Sequence, residues 1–146
     1  MTLKKFIFTL LLFSILSFEG TVYSQTVGKI YSKTEADSLF GKVIESVQIK
    51  ADQFESIIQQ TNIYVMIRVL NGELTVLGDG RNILYPAALS VEPEDVFLLY
   101  SKSKVEELLG LSSGSAINIE RRLGTTTITS GIYTLEEGWP CPPYCR

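Results

Sequence analysis

The chain lacks histidine: none occurs among its 146 residues. This absence removes Ser-His-Asp and Cys-His nucleophilic arrangements, histidine ligands for zinc, and the commonest general base near neutral pH. Carboxylate pairs, lysine and tyrosine could still support catalysis, but the sequence contains no recognisable motif built from them. We therefore predict no catalytic residue and no cofactor, and we favour a non-enzymatic function.

The chain also lacks a basic stripe. Lys4, Lys5 and Glu19 fall in a predicted leader, and without them 11 basic and 15 acidic side chains remain, a formal charge of −4. Phosphate binding requires clustered Lys and Arg, so we predict no nucleic-acid partner. The only adjacent arginines, Arg121-Arg122, are interpreted as a solvated strand end.

Only the N-terminus carries a long apolar run. Lys4 and Lys5 precede an apolar run over 6–18, and small residues at Val22 and Ser24 indicate cleavage between Ser24 and Gln25. Thirteen helical residues span about 20 Å, short of a ~30 Å hydrocarbon core, although an uncut anchor is the alternative. We predict a signal peptide over 1–24, a secreted or periplasmic location, and no membrane span in the mature chain.

Cysteine is scarce: Cys141 and Cys145 are the only two. In an exported chain, such a close pair indicates a disulfide. The C-x3-C spacing disfavours a redox pair, and two thiolates without histidine leave a zinc set incomplete. The acidic run 92–95 lacks EF-hand spacing and is interpreted as a solvated loop. We predict no metal site.

A β-meander over 63–85 is the strongest positive signal. Asn71-Gly72 between two β-rich runs predicts a type I′ hairpin, which fixes the register of the flanking strands. A second turn at Asp79-Gly80 predicts that Val76 faces Ile83 and that Leu74 faces Tyr85. The pairs predicted across the first turn are Leu70 with Glu73, Val69 with Leu74, Arg68 with Thr75 and Ile67 with Val76.

The rest of the chain alternates short helices and strands. Thr34, Asp52 and Ser103 are each predicted to cap a helix of two to three turns, the first over 34–40. A strand is predicted over 43–50, with Glu45 near a sheet edge, and a C-terminal meander over 116–136. The predicted fold is therefore α+β: one antiparallel sheet of six or seven strands, with three short helices covering one face. It forms one domain over 25–138, followed by a tail over 139–146.

The tail carries the candidate binding residues Trp139, Pro142, Pro143 and Tyr144. Tyr and Trp dominate interface hot spots, so a disulfide-closed aromatic knob could contact a partner. The alternative is a staple that stops the C-terminus from fraying. The end Pro143-Tyr144-Cys145 is similar to the Pro-Pro-x-Cys end of Bowman-Birk inhibitor loops. In those loops the residue that determines protease specificity precedes the prolines, and here Cys141 occupies that position. A segment over 31–40 resembles a run of phage tail-fibre proteins, from which no function is carried over.

These observations predict an exported binding or assembly module whose partner is another protein or an envelope component. One alternative is a small secreted carboxylate-based hydrolase, which would require two carboxylates in a cleft, one with a raised pKa. A second alternative is a structural envelope component.

Overall fold

The computed structural model describes residues 25–87 and 89–145. The predicted signal peptide 1–24, including Ser24 of its cleavage site, lies outside these residues, and Gln25 is the first of them. The described helices are α1 (Lys33–Phe40), α2 (Ala51–Ile58) and α3 (Lys102–Leu111). The described strands are β1 (Lys29–Ser32), β2 (Glu45–Lys50), β3 (Tyr64–Leu70), β4 (Glu73–Leu77), β5 (Ile83–Tyr85), β6 (Phe97–Ser101), β7 (Ala116–Arg122), β8 (Thr125–Ser130), β9 (Tyr133–Glu136) and β10 (Trp139–Cys141).

These strands form two antiparallel sheets of five strands each. The first sheet has the order β1-β9-β8-β7-β2, and the second has the order β10-β6-β3-β4-β5. The predicted α+β class, with antiparallel strands and three short helices, is confirmed. The prediction of a single sheet with six or seven strands was wrong, because the central and C-terminal meanders belong to different sheets.

The main core lies between the two sheets. Alternate residues along β3, β4 and β7 are buried in it, as the period of two in a β-strand requires. Helices α2 and α3 also contribute buried residues to this core, among them Phe54 and Leu108. Its buried sheet residues are Ile49, Ile117, Ile119, Ile128 and Leu135 from the first sheet and Val65, Ile67, Val69, Leu74, Val76 and Tyr100 from the second.

The predicted hairpin is confirmed in its turn and its register. Asn71 and Gly72 both have positive φ, 54° and 78°, as a type I′ turn requires. Leu70 pairs with Glu73, and the pairing continues without a shift to Met66 opposite Leu77. The sequence could specify this register because a two-residue turn leaves only one way to align the strands.

The second turn differs from its prediction. Asp79–Arg81 form a short 3₁₀ turn in place of a two-residue turn, so Val76 pairs with Tyr85 rather than with Ile83. Gly80 and Arg81 both have positive φ in this turn, 65° and 62°. The predicted pair of Leu74 with Tyr85 was therefore wrong.

Asp79 fixes this turn to the chain that precedes β3. Its Oδ2 accepts hydrogen bonds from the backbone N–H groups of Asn62 (3.0 Å) and Ile63 (3.1 Å), and its Oδ1 accepts one from that of Tyr64 (2.8 Å). Burial acts to raise the pKa of Asp79, but these hydrogen bonds outweigh burial and lower the pKa. One carboxylate thus positions both the start of β3 and the turn that ends in Arg81.

Replacing Asp79 by alanine should lower the free energy of unfolding by about 2 kcal/mol, because bonds to a charged acceptor contribute roughly 1.5–3 kcal/mol. Urea denaturation of a chain that starts at Gln25 measures this loss. Asp52→Ala is the matched control: the exposed Asp52 carboxylate accepts one local bond, from the N–H of Gln53, so its loss should cost below about 1 kcal/mol. Equal losses in the two variants would contradict the role given to Asp79.

Each helix begins directly at the end of a strand. The N-caps are Ser32, Lys50 and Ser101, each the last residue of its strand. The predicted caps Thr34, Asp52 and Ser103 were therefore wrong by two residues in every case. For α1, Ser32 forms a capping box with Glu35: its hydroxyl accepts from the Glu35 N–H, and the Glu35 carboxylate accepts from the Ser32 N–H.

Helix α1 lies apart from the other two helices, on the outer face of the first sheet. Its Lys33 and Asp37 form ion pairs with Glu120 and Arg122, which alternate along β7 with the core residue Ile119. The prediction that all three helices cover one face was therefore wrong.

Candidate functional site

The predicted binding residues lie in the C-terminal segment 139–145, whose first three residues form β10. This strand adds to the edge of the second sheet, with Trp139 opposite Leu99 and Cys141 opposite Phe97. Trp139–Cys141, predicted as part of a tail, are therefore integrated into the fold. This pairing fixes where the rest of the segment emerges.

Residues 141–145, here called the disulfide loop, close on themselves. The predicted bond between Cys141 and Cys145 is present, and their Cα atoms are 4.7 Å apart. The N–H of Tyr144 donates to the carbonyl of Pro140 at 3.0 Å, which makes the loop a tight turn. Cys141 is buried and Cys145 is exposed, so the bond ties the outer end of the loop to a buried strand residue.

Arg81 anchors the disulfide loop from outside the segment. Its Nη1 donates to the carbonyl of Cys141 (3.2 Å), and its Nη2 donates to the carbonyls of Glu92 (3.1 Å) and Asp95 (3.0 Å). One guanidinium therefore joins the disulfide loop to residues 92–95, here called the acidic loop. Since the group is planar with fixed N–H directions, it sets the relative orientation of the two loops.

A second arginine and an aromatic ring complete the anchor. The Arg68 guanidinium forms an ion pair with the Asp95 carboxylate at 2.7 Å. It also lies 4.6 Å from the ring centre of Phe97, and the guanidinium of Arg81 lies 5.3 Å from the same centre. The Arg68 contact lowers the pKa of Asp95, and the Glu92 N–H lowers it further. Both cations of this region are thus held by partners within the protein.

All four predicted binding residues meet at the surface of this segment. The rings of Trp139 and Tyr144 contact each other edge to face, with centroids 6.0 Å apart. Tyr144 is 55% exposed, Pro143 is exposed, and Trp139 and Pro142 are partly exposed. The sequence pointed to these residues but not to Arg81, whose carbonyl partner Cys141 is 60 positions away.

A cluster of buried charges lies under α1, on the outer face of the first sheet. Arg122 is at its centre: its side chain is fully buried and pairs with Asp37 (2.8 Å), Glu136 (3.1 Å) and Glu120 (3.5 Å). The Arg122 guanidinium also donates to the carbonyl of Gly41. The interpretation of Arg122 as part of a solvated strand end was therefore wrong.

Within this cluster, the carboxyl group of Glu136 has an unusually high pKa. Burial raises the pKa of Glu136 to about 7 from 4.5; the charge of Arg122 opposes this shift, and those of Glu120 and Asp37 reinforce it. A raised pKa on a carboxyl group is one mark of an acid catalyst. Glu136 is fully buried, however, so its carboxyl group lies out of contact with solvent rather than in a cleft.

A groove of about 490 Å³ lies where the edge strand β2 approaches β4 and β5. Its lining mixes polar side chains, such as Gln48 and Gln53, with apolar ones, such as Ile49 and Leu74. Glu73 is the only carboxylate among the described residues that line it. This groove therefore does not contain the carboxylate pair that glycoside chemistry needs.

The sequence predicted no metal site and no membrane span in the chain after residue 24. Within residues 25–87 and 89–145, no three Cys, Asp or Glu side chains are grouped so as to hold a metal ion. None of the described helices combines the length and apolarity needed to cross a bilayer. Comparison of the chain with protein-family models, curated proteins and solved structures finds no match.

Proposed function

We propose that this protein is an exported, non-enzymatic binding module that contacts another protein through the aromatic surface of its C-terminal segment. The observation that carries the proposal is an anchored pair of aromatic rings, in which Trp139 packs against buried residues and Tyr144 is exposed. Tyr144 is 55% exposed, although the loop around it is fixed by a disulfide and by the hydrogen bond from Arg81 to the Cys141 carbonyl.

Preorganisation is what makes this surface suited to binding. A flexible tail would lose conformational freedom on association, whereas a loop closed by a disulfide and held at a strand end loses little. Tyr and Trp then provide large contact areas at a low entropic cost. A staple that only prevents fraying would not require an exposed tyrosine in contact with a tryptophan ring.

Export is supported by the apolar run over 6–18 and by the disulfide, since such bonds persist in oxidising compartments. The periplasm and the extracellular space both meet this condition. The carboxylate-based hydrolase has less support, because the carboxyl group with a raised pKa is sealed from solvent.

The test is affinity capture with the mature chain, tagged at its N-terminus, from envelope and secreted fractions of cells that produce it. Tyr144→Ala should weaken retention of a near-stoichiometric partner at least about tenfold, as expected for a central aromatic contact. Leu123→Ala, which truncates an apolar side chain that is 87% exposed after β7, is the matched control and should retain the partner.

A partner lost equally from both variants, or retained by both, would contradict a contact at the disulfide loop. A regular homo-oligomer without any partner would favour the structural envelope component instead. Far-UV circular dichroism, which reports the backbone rather than the aromatic rings, should be the same for Tyr144→Ala and the parent protein, which separates loss of contact from loss of fold.

A further inference from the structure

The charge around the ring pair indicates the chemistry of the partner. Arg81 joins the backbone of the acidic loop to that of the disulfide loop, so the two loops lie side by side. Glu92 and Glu94 are both exposed, and neither carboxylate has an ion-pair partner within the described part of the chain.

Both guanidinium groups of this region are engaged by partners within the protein. Arg81 is occupied by three carbonyl groups, and Arg68 by the Asp95 carboxylate and the Phe97 ring. A docking partner would therefore encounter two aromatic rings beside two unpaired carboxylates. Aromatic faces attract cations, and nearby carboxylates strengthen that attraction and steer its approach.

We propose that the surface formed by Trp139, Tyr144 and the acidic loop binds a Lys- or Arg-bearing segment of another protein. This inference rests on the proposed function and specifies its partner. The basic side chain would lie against the exposed ring of Tyr144, while Glu92 and Glu94 provide the opposite charge. An anionic segment would meet like charges on this surface, and an uncharged one would gain only the ring contact.

Trp139 supplies a built-in probe, because it is the only tryptophan in the chain. Its fluorescence would be followed while the mature protein is titrated with an eight-residue alternating Lys-Gly peptide. Glu-Gly and Ser-Gly peptides of the same length serve as charge controls. We expect a saturable change with the Lys-Gly peptide that weakens as NaCl is raised, and at least tenfold weaker responses to the other two.

The double variant Glu92→Gln/Glu94→Gln should bind the Lys-Gly peptide about three- to tenfold more weakly, with a smaller salt dependence. Its melting temperature should equal that of the parent, because neither carboxylate has a partner in the described fold. Glu55→Gln/Glu73→Gln removes two exposed carboxylates that likewise have no ion-pair partner in the described part of the chain, and it is the matched control, for which we expect unchanged peptide affinity.

Equal affinity of the parent and the Glu92→Gln/Glu94→Gln variant would overturn the inference, as would equal binding of the three peptides. A native partner that needs Tyr144 but is insensitive to salt and to this double substitution would also overturn it and leave the proposed function standing. Failure of the proposed function has a separate signature, which is capture of a partner independent of Tyr144.

Discussion

Replacing Arg122 by methionine should lower the free energy of unfolding by about 3–5 kcal/mol at pH 7. Among the residues that the structure describes, Arg122 is the only cation that pairs with the fully buried carboxyl group of Glu136, and it also pairs with Glu120 and Asp37. Removing Arg122 leaves the buried carboxylate of Glu120 and the ionised fraction of Glu136 without their guanidinium partner, and an uncompensated buried charge is costly. Methionine preserves most of the buried volume, so the loss reports charge more than packing.

The adjacent residue provides the control for this experiment. Arg121 pairs with Glu45 at 2.8 Å, but its side chain is 38% exposed, so Arg121→Met should cost below about 1 kcal/mol. Urea denaturation of both variants gives the comparison. Adding Glu136→Gln to Arg122→Met should restore part of the loss, because it removes the stranded carboxylate. Equal losses of unfolding free energy in Arg121→Met and Arg122→Met would show that the buried ion pairs of Arg122 contribute no more to stability than the exposed pair of Arg121.

Arg121 and Arg122 show which features of β7 could be predicted from the sequence and which could not. Local patterns identified β7 with its observed bounds, 116–122, and the alternation of Ile117 and Ile119 identified its core face. The opposite face carries Glu120 and Arg122, a polar pattern that usually indicates solvent. It is buried because α1, which begins 83 positions before the start of β7, lies over it, and no local signal specifies that contact.

The hairpin was predicted correctly and the helix starts were not, because only the hairpin is determined by its own local residues. Asn71-Gly72 determines its own geometry, so the register could be derived. The helix caps were placed two residues late because each strand continues into its helix without a connecting loop. A signal for this existed: Tyr-Ser-Lys occurs at 31–33 and again at 100–102, and in both places the serine is the N-cap.

The candidate site was predictable only in part, for a similar reason. Composition alone marked Trp139, Pro142, Pro143 and Tyr144, and cysteine spacing marked the disulfide. Arg81 lies in a turn whose form depends on distant hydrogen bonds to Asp79, and its own partners are carbonyl groups. Backbone acceptors carry no sequence signature, so their contribution to the anchor is visible only in the fold.

The second large effect concerns pH, and it follows from a charge imbalance in the cluster under α1. The cations Lys33 and Arg122 face three carboxyl groups, those of Asp37, Glu120 and Glu136. Full ionisation would therefore leave one uncompensated negative charge beside a buried site. A proton on Glu136 removes it, which agrees with the pKa of about 7 that burial gives this residue.

The sign of the stability change follows from this shift. Between about pH 4.5 and pH 7 the folded protein holds a proton on Glu136 that the unfolded chain releases, so the contribution of Glu136 falls as pH rises through this range. The stabilising contribution of Glu136 is fully present below its pKa in the unfolded chain, and it is lost above its pKa in the folded protein. Over this range the free energy of unfolding should fall by about 2 kcal/mol. This figure is reduced for solvent screening, because the side chain of Asp37, one of the charges that act on Glu136, is 45% exposed.

Glu136→Gln isolates this effect from the other carboxylates, since glutamine resembles the protonated acid at every pH. At pH 5 the variant and the parent should have nearly equal free energies of unfolding, and at pH 8.5 the variant should be more stable by about 2 kcal/mol. Glu73→Gln, which alters an exposed carboxylate in the hairpin, should run parallel to the parent. If the stability of Glu136→Gln also ran parallel to that of the parent across this pH range, the proton would not reside on Glu136, and the assignment would be wrong.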